Sequence, residues 1–273
     1  MPSADTFRGF ELGGWSDEKV CAKYHQHFGS VTIQSVPALI DAACVERGVR
    51  VLDVCCGAGY AAGLAAEKGA EVIGVDFAQS QVDLAQKLYP TVMFERGDAT
   101  ALRFDDQSFD SVVNGIGMPH FEDPDTAIVE AFRVLRRGGR FSFSVYAAPE
   151  HAVGFGLIYG AVQAHGTMDI GLPPGPNFFL FSNEEESRQR MLSAGFRDFK
   201  AEMVPQTWRL ASPDELFEAV TEGSVRAAAT LRGQEKTALP KIESAVVAGL
   251  EKYRVESGYE LPMPAIVISA SRP

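Results

Sequence analysis

The sequence has few basic residues for its length, and this absence limits its possible partners. Lysine and arginine total 25 in 273 residues, against 36 aspartates and glutamates, so the formal net charge is −11 at pH 7. A protein that binds nucleic acid through its backbone needs a basic surface that displaces counterions from phosphates. Anionic membrane surfaces attract the same kind of basic surface. We therefore expect neither nucleic acid nor a membrane to be a partner.

Paired cysteines and long apolar runs are also missing. None of the four cysteines forms a Cys-x-x-Cys pair, so zinc-finger spacing is absent and we expect no bound metal. The first residues lack the apolar run of a signal peptide. The longest weakly charged stretch, residues 154–172, contains five glycines and is interrupted by polar residues. The sequence thus predicts a reduced, cytoplasmic protein.

Short apolar runs alternate with helical patterns from residue 50 onward, and this alternation predicts the fold class. Alternating strands and helices indicate a parallel sheet with helices on both faces. Two later strands, with the last near the end of the chain, complete an α/β fold with a doubly wound, mostly parallel, seven-stranded Rossmann-like sheet. The predicted strands are Arg50–Val54, Glu71–Val75, Val92–Glu95, Ser108–Asn114, Arg140–Tyr146, Phe196–Val204 and Ala265–Ala270.

The chain length favours a single domain with four consecutive parts. We expect an N-terminal helical segment over residues 1–48 and a ligand-binding core over residues 49–147. Residues 148–181, rich in glycine, proline and aromatic residues, follow the fifth strand and are predicted to form a lid. Residues 182–273 then complete the sheet. Ser182 with Glu185, and Ser212 with Glu215, have the spacing of helix capping boxes.

The most informative stretch is Val51–Gly59, a strand that enters a glycine-rich turn and then a helix. Glycines allow a ligand to approach the backbone closely, and the amide groups at the start of the helix face that ligand. The loop also fits a loose form of the dinucleotide-binding pattern, Gly-x-Gly-x-x-Ala. Taken alone, this match is a weak signal.

Three carboxylates at the ends of consecutive predicted strands indicate the ligand class more clearly than the glycine pattern does. Asp53, Asp76 and Asp98 stand at or just after the carboxyl ends of the first, second and third strands. In an open α/β sheet these ends line one crevice. Carboxylates there favour a cationic ligand rich in hydroxyl and amine groups, such as S-adenosylmethionine, over a pyrophosphate. Because Asp76 ends its strand, we expect its removal to leave no buried partner unpaired.

Several motifs together resemble those of class I S-adenosylmethionine-dependent methyltransferases, in the branch that includes the ubiquinone/menaquinone-type and other small-molecule enzymes. The resemblance covers residues 48–146 closely and the whole chain in outline. Two departures are Cys55, which stands where the family has its first loop glycine, and the turn Leu135-Arg-Arg-Gly-Gly139, which lacks the family's proline. The matching stretches are VLDVCCGAG, VIGVDFA, RGDA, FDSVVNGIGMPHF and VLRRGGRFSFSV.

The resemblance implies a cofactor, S-adenosyl-L-methionine, with S-adenosyl-L-homocysteine as its product. The loop from Asp53 to Gly59 would hold the methionine part, Asp76 the ribose hydroxyls and Phe77 a face of the adenine, with Asp98 and the Ala99 amide at the adenine amine. Asn114 and Gly115 would line the sulfonium side. The implied cofactor-binding residues are Tyr24, Asp53, Cys55, Gly57, Gly59, Asp76, Phe77, Gln81, Asp98, Ala99, Asn114 and Gly115.

A small-molecule acceptor, apolar or aromatic, is the predicted substrate. His120 follows the fourth strand, where it would accept a proton from the acceptor or simply shape the pocket. Phe178 and Phe179 in the predicted lid would exclude water, although that segment fits a homodimer contact or plain apolar packing almost as well. A nicotinamide-dependent oxidoreductase and a catalytically inactive S-adenosylmethionine-binding protein are the alternative functions. Sequence alone leaves the acceptor and the methylated atom open.

Overall fold

The computed structural model describes residues 6–273, which divide into two compact units. The core unit comprises Thr32–Tyr146, Gly175–Val204 and Ala265–Pro273. The accessory unit comprises residues 6–31, Ala147–Pro174 and Pro205–Pro264. The predicted lid, residues 148–181, divides between the units after Pro174, so its action as one lid stays a prediction.

Eleven α-helices lie in the described part of the chain, joined by short 3₁₀ segments. Among these residues, no helix is both long enough and apolar enough to cross a membrane. The α-helices are α1 Phe7–Trp15, α2 Glu18–Thr32, α3 Val36–Ala42, α4 Tyr60–Glu67, α5 Gln79–Leu88, α6 Pro124–Val134, α7 Val153–His165, α8 Glu184–Ser193, α9 Pro213–Gly223, α10 Arg226–Arg232 and α11 Leu239–Leu250.

Ten β-strands lie in the same residues and form two sheets, one in each unit. The strands are β1 Arg50–Val54, β2 Glu71–Asp76, β3 Met93–Arg96, β4 Phe109–Gly115, β5 Leu135–Tyr146, β6 Arg197–Val204, β7 Thr207–Leu210, β8 Arg254–Val255, β9 Gly258–Pro262 and β10 Ala265–Ser271.

The core unit contains a seven-stranded sheet in the order β3-β2-β1-β4-β5-β10-β6. Strands β1 to β5 are parallel, whereas β10 is antiparallel to both β5 and β6. This confirms the predicted seven-stranded, mostly parallel sheet and the closing position of the last strand. The order reverses between β1 and β4, so the carboxyl ends of β1 and β2 border the crevice where such folds bind ligands.

The central strands form because both of their faces are covered. Leu52, Val112 and Phe143 are fully buried in β1, β4 and β5, in keeping with the continuous apolar runs of parallel strands. Helix α6 begins directly after Asp123, since the Asp123 side chain accepts the Thr126 amide and Pro124 occupies the first turn. The sheet therefore holds the loops at its carboxyl edge on a rigid base.

The accessory unit has its own small sheet, in the order β7-β9-β8, with antiparallel pairs. An aromatic cluster fills its interior: the Phe28 ring lies 4.7 Å from that of Trp208 and 6.3 Å from that of Phe155. The Trp208 indole donates a hydrogen bond to the His27 carbonyl. Buried aromatic rings with a satisfied polar atom stabilise a small core of this kind.

The predicted capping boxes at the starts of two helices were wrong. Helix α8 is capped by Asn183 and not by the predicted Ser182. The Asn183 Oδ1 accepts the amides of Glu185 and Glu186, the second and third residues of the helix, as the side chain of an N-cap residue does. At α9 the Ser212 side chain makes no capping bond, and Glu215 instead accepts the Ala211 amide.

Strand β5 begins at Leu135, five residues before the predicted start at Arg140. The turn that lacks proline continues as strand, since Gly138 donates to the Arg272 carbonyl and Arg272 donates to the Gly139 carbonyl. These bonds to the chain end give the early part of the strand partners that sequence patterns cannot reveal.

Candidate functional site

The loop between β1 and α4 holds its shape through positive φ angles at Cys55 (56°), Gly57 (52°) and Gly59 (82°). A Cβ atom built on Gly59 would lie 2.8 Å from the Phe94 ring, so this glycine is needed for packing. A Cβ atom on Gly57 would meet no protein atom within 4 Å. The backbone of Gly57 is therefore open to close approach by a ligand.

Asp76, at the end of β2, is 3% exposed and joins the loop to the helix that follows it. Its Oδ2 accepts the Gly57 amide at 3.0 Å, and its Oδ1 accepts the Ala78 amide at 3.0 Å. Burial raises the pKa of this carboxyl, while the amides of Ala78 and Gly57 and the charge of His120 oppose the rise. The expectation that no buried partner depends on Asp76 was wrong, because two amides do.

Asp53 lies at the end of β1 and is 1% exposed. Its Oδ2 accepts the Ala62 amide at 3.0 Å, whereas its buried Oδ1 has no hydrogen-bond partner among residues 6–273. Burial raises the pKa of Asp53 to about 7, the Ala62 amide opposes this, and the Asp76 carboxylate adds to it. The ends of β1 and β2 thus bring two buried carboxyl groups close together, one of them with an oxygen left over for a donor.

Asp98 and Ala99 follow β3, and the backbone places them near Asp76, since the Gly97 amide donates to the Asp76 carbonyl. The Oδ1 of Asp98 accepts both the amide and the hydroxyl of Thr100, at 2.9 and 2.7 Å. Ala99 is 8% exposed. Asp98 therefore caps a turn, a function that is compatible with a second, ligand-facing role for the same carboxylate.

Asn114, near the end of β4, is fully buried and acts as a connector. Its side-chain amide donates to the Val54 carbonyl at 2.8 Å, and its Oδ1 accepts the Gly117 and Met118 amides, each at 3.0 Å. These bonds join the end of β1 to the segment after β4. The side chain is thus engaged within the protein, and the roles of Asn114 and Gly115 toward a ligand stay predictions.

The segment after β4 is strained at a residue that sequence reasoning missed. Ile116 has a φ of 61°, which is rare for a β-branched residue, and its amide donates to the Ser144 carbonyl. A Cβ atom on Gly117 would lie 2.4 Å from the Asn114 amide nitrogen and 2.8 Å from the Cys55 Cβ. Close approach of two loops explains why glycine follows this strained residue, and the only sequence signal was the Gly-Ile-Gly run.

Two further predicted cofactor residues lie after β2. Phe77 is half-buried and its carbonyl accepts the Arg96 side chain at 3.0 Å. Gln81 is 6% exposed in the first turn of α5. Both belong to the segment that Asp76 holds through Ala78, and their roles toward a ligand stay predictions.

The predicted substrate residues of the core unit lie together. His120 ends the 3₁₀ turn Met118–His120 and is half-buried. Its ring centroid lies 6.0 Å from that of Phe178, and the Phe178 ring lies 5.0 Å from that of Phe179, both edge to face. Residues 58 positions apart in the chain thus form one cluster, although its role toward an acceptor stays a prediction.

Tyr24 lies on α2 in the accessory unit, where its ring stacks on Phe28 at 5.3 Å and meets Trp15 edge to face at 5.4 Å. Its predicted contact with a cofactor stays a prediction. His120, Phe178 and the carboxylates of Asp53, Asp76 and Asp98 all belong to the core unit.

Comparisons with known proteins relate one stretch of the core unit to a family. Residues 52–143 match a family model described as a methyltransferase domain. A demethylmenaquinone methyltransferase of Renibacterium salmoninarum is 34% identical over 111 residues, which are 41% of this chain and 47% of that protein. The chain spans about half the length, or less, of the curated relatives it matches.

Solved structures share the fold over most of the chain. Phosphoethanolamine N-methyltransferase 2 of Haemonchus contortus, in complex with phosphomonomethylethanolamine and S-adenosylhomocysteine, has a TM-score of 0.60 and 19% identity, covering 98% of this chain and 60% of that one. The [4+2]-cyclase SpnF has a TM-score of 0.53 and 22% identity, covering 88% and 81%. At such identities the likeness shows the fold alone.

The strand order and the glycine loop define a Rossmann-like fold of the methyltransferase type. The match over residues 52–143 agrees with the motifs found there, which resemble those of class I S-adenosylmethionine-dependent methyltransferases.

Proposed function

We propose that this protein transfers a methyl group from S-adenosyl-L-methionine to a small apolar or aromatic acceptor. The observation that carries the proposal is the position of Asp76. Its buried carboxylate stands beside Gly57, whose backbone is open to a ligand, at the carboxyl end of β2. A carboxylate there can accept the two hydroxyls of a ribose in charge-assisted hydrogen bonds.

The residues of the site fit this cofactor better than a dinucleotide. The buried Oδ1 of Asp53 has no partner within the described part of the chain, so it can accept a hydrogen bond from an ammonium group. A pyrophosphate would instead be repelled by the negative charge of Asp53 and Asp76. Glycine at position 57 leaves space for a ligand against the loop amides. The nicotinamide-dependent alternative is therefore the weaker one.

The bound cofactor would supply a methyl group attached to a sulfonium. Because the sulfonium leaves as a neutral thioether, the transfer needs no covalent enzyme intermediate. The protein contributes position and a dry environment. The bonds of Asn114 to Val54, Gly117 and Met118 fix the backbone after β4, and hence the place of His120. His120 would orient the acceptor or take its proton when the nucleophile is an oxygen.

The acceptor is proposed from the rings beside His120. Phe178 and Phe179 present edges and faces that suit an apolar or aromatic molecule and exclude water. The curated relative named above is, by its name, a demethylmenaquinone methyltransferase, which supports a small-molecule acceptor here.

The experiment is a methyl-transfer assay with labelled S-adenosylmethionine over a panel of quinols, phenols, amines and thiols. Transfer to an aromatic acceptor supports the proposal, and transfer only to polar amines would refute the acceptor class. A protein that binds S-adenosylhomocysteine but transfers no methyl group to any acceptor would favour the inactive binding protein. The cyclase that shares this fold adds a further reason to measure turnover directly.

A further inference from the structure

Strand β6 is an outer edge of the seven-stranded sheet, since β10 is the one strand that pairs with it within residues 6–273. Lys200, Glu202 and Met203 on this strand are exposed, and Met203 exposes 51% of its surface. An unpaired edge presents a row of amides and carbonyls that can pair with another strand. Exposed apolar surface on such an edge favours burial against a partner.

The length of edge available for regular pairing is bounded on both sides. Asp198 has a φ of 53°, and the register between β6 and β10 shifts between Ser269 and Ser271. Such an irregularity bends a strand and ends its regular pairing. At the other end, Pro205 has no amide hydrogen to donate. Regular pairing is therefore open to Phe199–Val204.

The charges within this stretch are arranged for pairing with an identical strand. Lys200 and Glu202 are two positions apart, so they lie on one face of the sheet, whereas Phe199 and Met203 lie on the other face. Neither Lys200 nor Glu202 forms an ion pair within residues 6–273. Each charge is thus available to a partner strand.

We propose that β6 pairs antiparallel with β6 of a second copy of this chain, about a two-fold axis that lies midway between the two copies of Ala201. Lys200 of each copy then lies opposite Glu202 of the other, which gives two cross-strand ion pairs. Phe199 lies opposite Met203 twice on the second face, so the exposed Met203 is covered. The two sheets join into one sheet, which closes the assembly at two copies.

Neighbouring registers are disfavoured by charge or geometry. A two-fold axis perpendicular to the sheet keeps each side chain on its face, so the axis must lie midway between two copies of the same residue. An axis between the two copies of Lys200 places the lysines opposite each other, and an axis between the two copies of Glu202 does the same for the glutamates. An axis between the two copies of Phe199 needs regular pairing at the distorted Asp198.

Charge reversal tests this register by sedimentation equilibrium of the full chain. Lys200→Glu places like charges opposite each other twice, and so does Glu202→Lys, so each variant should dimerise roughly tenfold or more weakly than the unsubstituted chain. The double variant Lys200→Glu/Glu202→Lys restores both ion pairs. An equimolar mixture of the two single variants should also dimerise, because each chain then carries the charges that the other lacks.

Matched controls use the exposed pair Arg209–Glu260 on β7 and β9, whose atoms lie 2.9 Å apart. Arg209→Glu and Glu260→Lys change the net charge by the same amounts and should leave dimerisation unchanged. Circular dichroism of every variant checks that it is folded. The proposal is overturned if the unsubstituted chain is a monomer at all soluble concentrations, or if the mixture of single variants associates no better than each alone. It is independent of the proposed activity.

Discussion

The backbone amide of Gly57 donates a 3.0 Å hydrogen bond to the carboxylate of Asp76, which fixes the glycine loop after β1 to the end of β2. One carboxylate therefore shapes the loop and faces the proposed ribose position. Loss of this side chain should lower both the stability of the fold and the affinity for the ligand. The choice of substitution separates these two effects.

Asp76→Ala is expected to weaken S-adenosylhomocysteine binding and to destabilise the fold. The amides of Gly57 and Ala78 lose their acceptor, which costs about 1–3 kcal/mol for each buried donor left unpaired. Asp76→Asn is the matched variant, since it keeps one acceptor oxygen and should lose less stability than the alanine variant. Urea denaturation and calorimetric titration measure the two effects. Unchanged affinity in both variants would exclude Asp76 as the ribose ligand.

The Asp53 carboxyl should make ligand binding depend on pH. Its pKa is raised by burial to about 7, so the group is partly protonated near neutrality, and a cationic ligand would favour its ionised form. Affinity for S-adenosylhomocysteine should therefore rise with pH toward and through about 7, with a proton released on binding. Titration in buffers of different ionisation enthalpy counts that proton.

The same group affects the stability of the free protein in the opposite direction. A folded-state pKa above the ordinary value of 3.8 means that the protonated form is favoured on folding. This contribution is fully present below pH 3.8 and is lost as the pH rises through about 7. Asp53→Asn keeps an acceptor for the Ala62 amide and should flatten both profiles. Equal pH profiles for the variant and the unsubstituted chain would contradict the assignment.

Cys55→Gly should stabilise the protein. A non-glycine residue at positive φ carries a strain cost that exceeds the extra flexibility of glycine in the unfolded chain, so we expect a gain of about 1 kcal/mol. Cys56→Gly is the control: Cys56 is 7% exposed and is not at positive φ, so the same change there should be destabilising. Urea denaturation measures the free energy of unfolding of both variants. A loss of stability in Cys55→Gly would show that packing of the Cys55 thiol outweighs the strain.

His120→Ala should lower kcat by roughly 10²–10⁴-fold for an oxygen acceptor if His120 takes its proton. Affinity for S-adenosylhomocysteine should stay the same. Phe178→Leu is the comparison, since it changes the ring that packs on His120 without removing a titratable group and should raise KM for the acceptor more than it lowers kcat. Full kcat in His120→Ala would limit His120 to shaping the pocket.

The sheet was predictable because its central strands are continuous apolar runs with carboxylates at their ends. Asp53 and Asp76 could be placed at one edge from this pattern alone, and the structure brings them together. Their hydrogen bonds could not be predicted, since the amides of Ala62 and Gly57 reach them only through the local path of the loop. The three bonds of Asn114 escaped prediction for the same reason.

The accessory unit could not be predicted from local sequence patterns, because it is assembled from three segments that are far apart in the chain. The contact between Phe28 and Trp208 joins residues 180 positions apart, and no local periodicity signals such a pairing. The strained φ of Ile116 was signalled only by the glycines on either side of it, because a β-branched residue ordinarily favours extended backbone.

Binding of S-adenosylhomocysteine compared with NAD tests the central claim most directly. Thermal denaturation and calorimetric titration of the full chain should show binding of the first ligand and none of the second. At about a hundredfold excess over its dissociation constant, S-adenosylhomocysteine should add roughly 2.7 kcal/mol to the free energy of unfolding. Stabilisation by NAD, with none by S-adenosylhomocysteine, would contradict the proposed function.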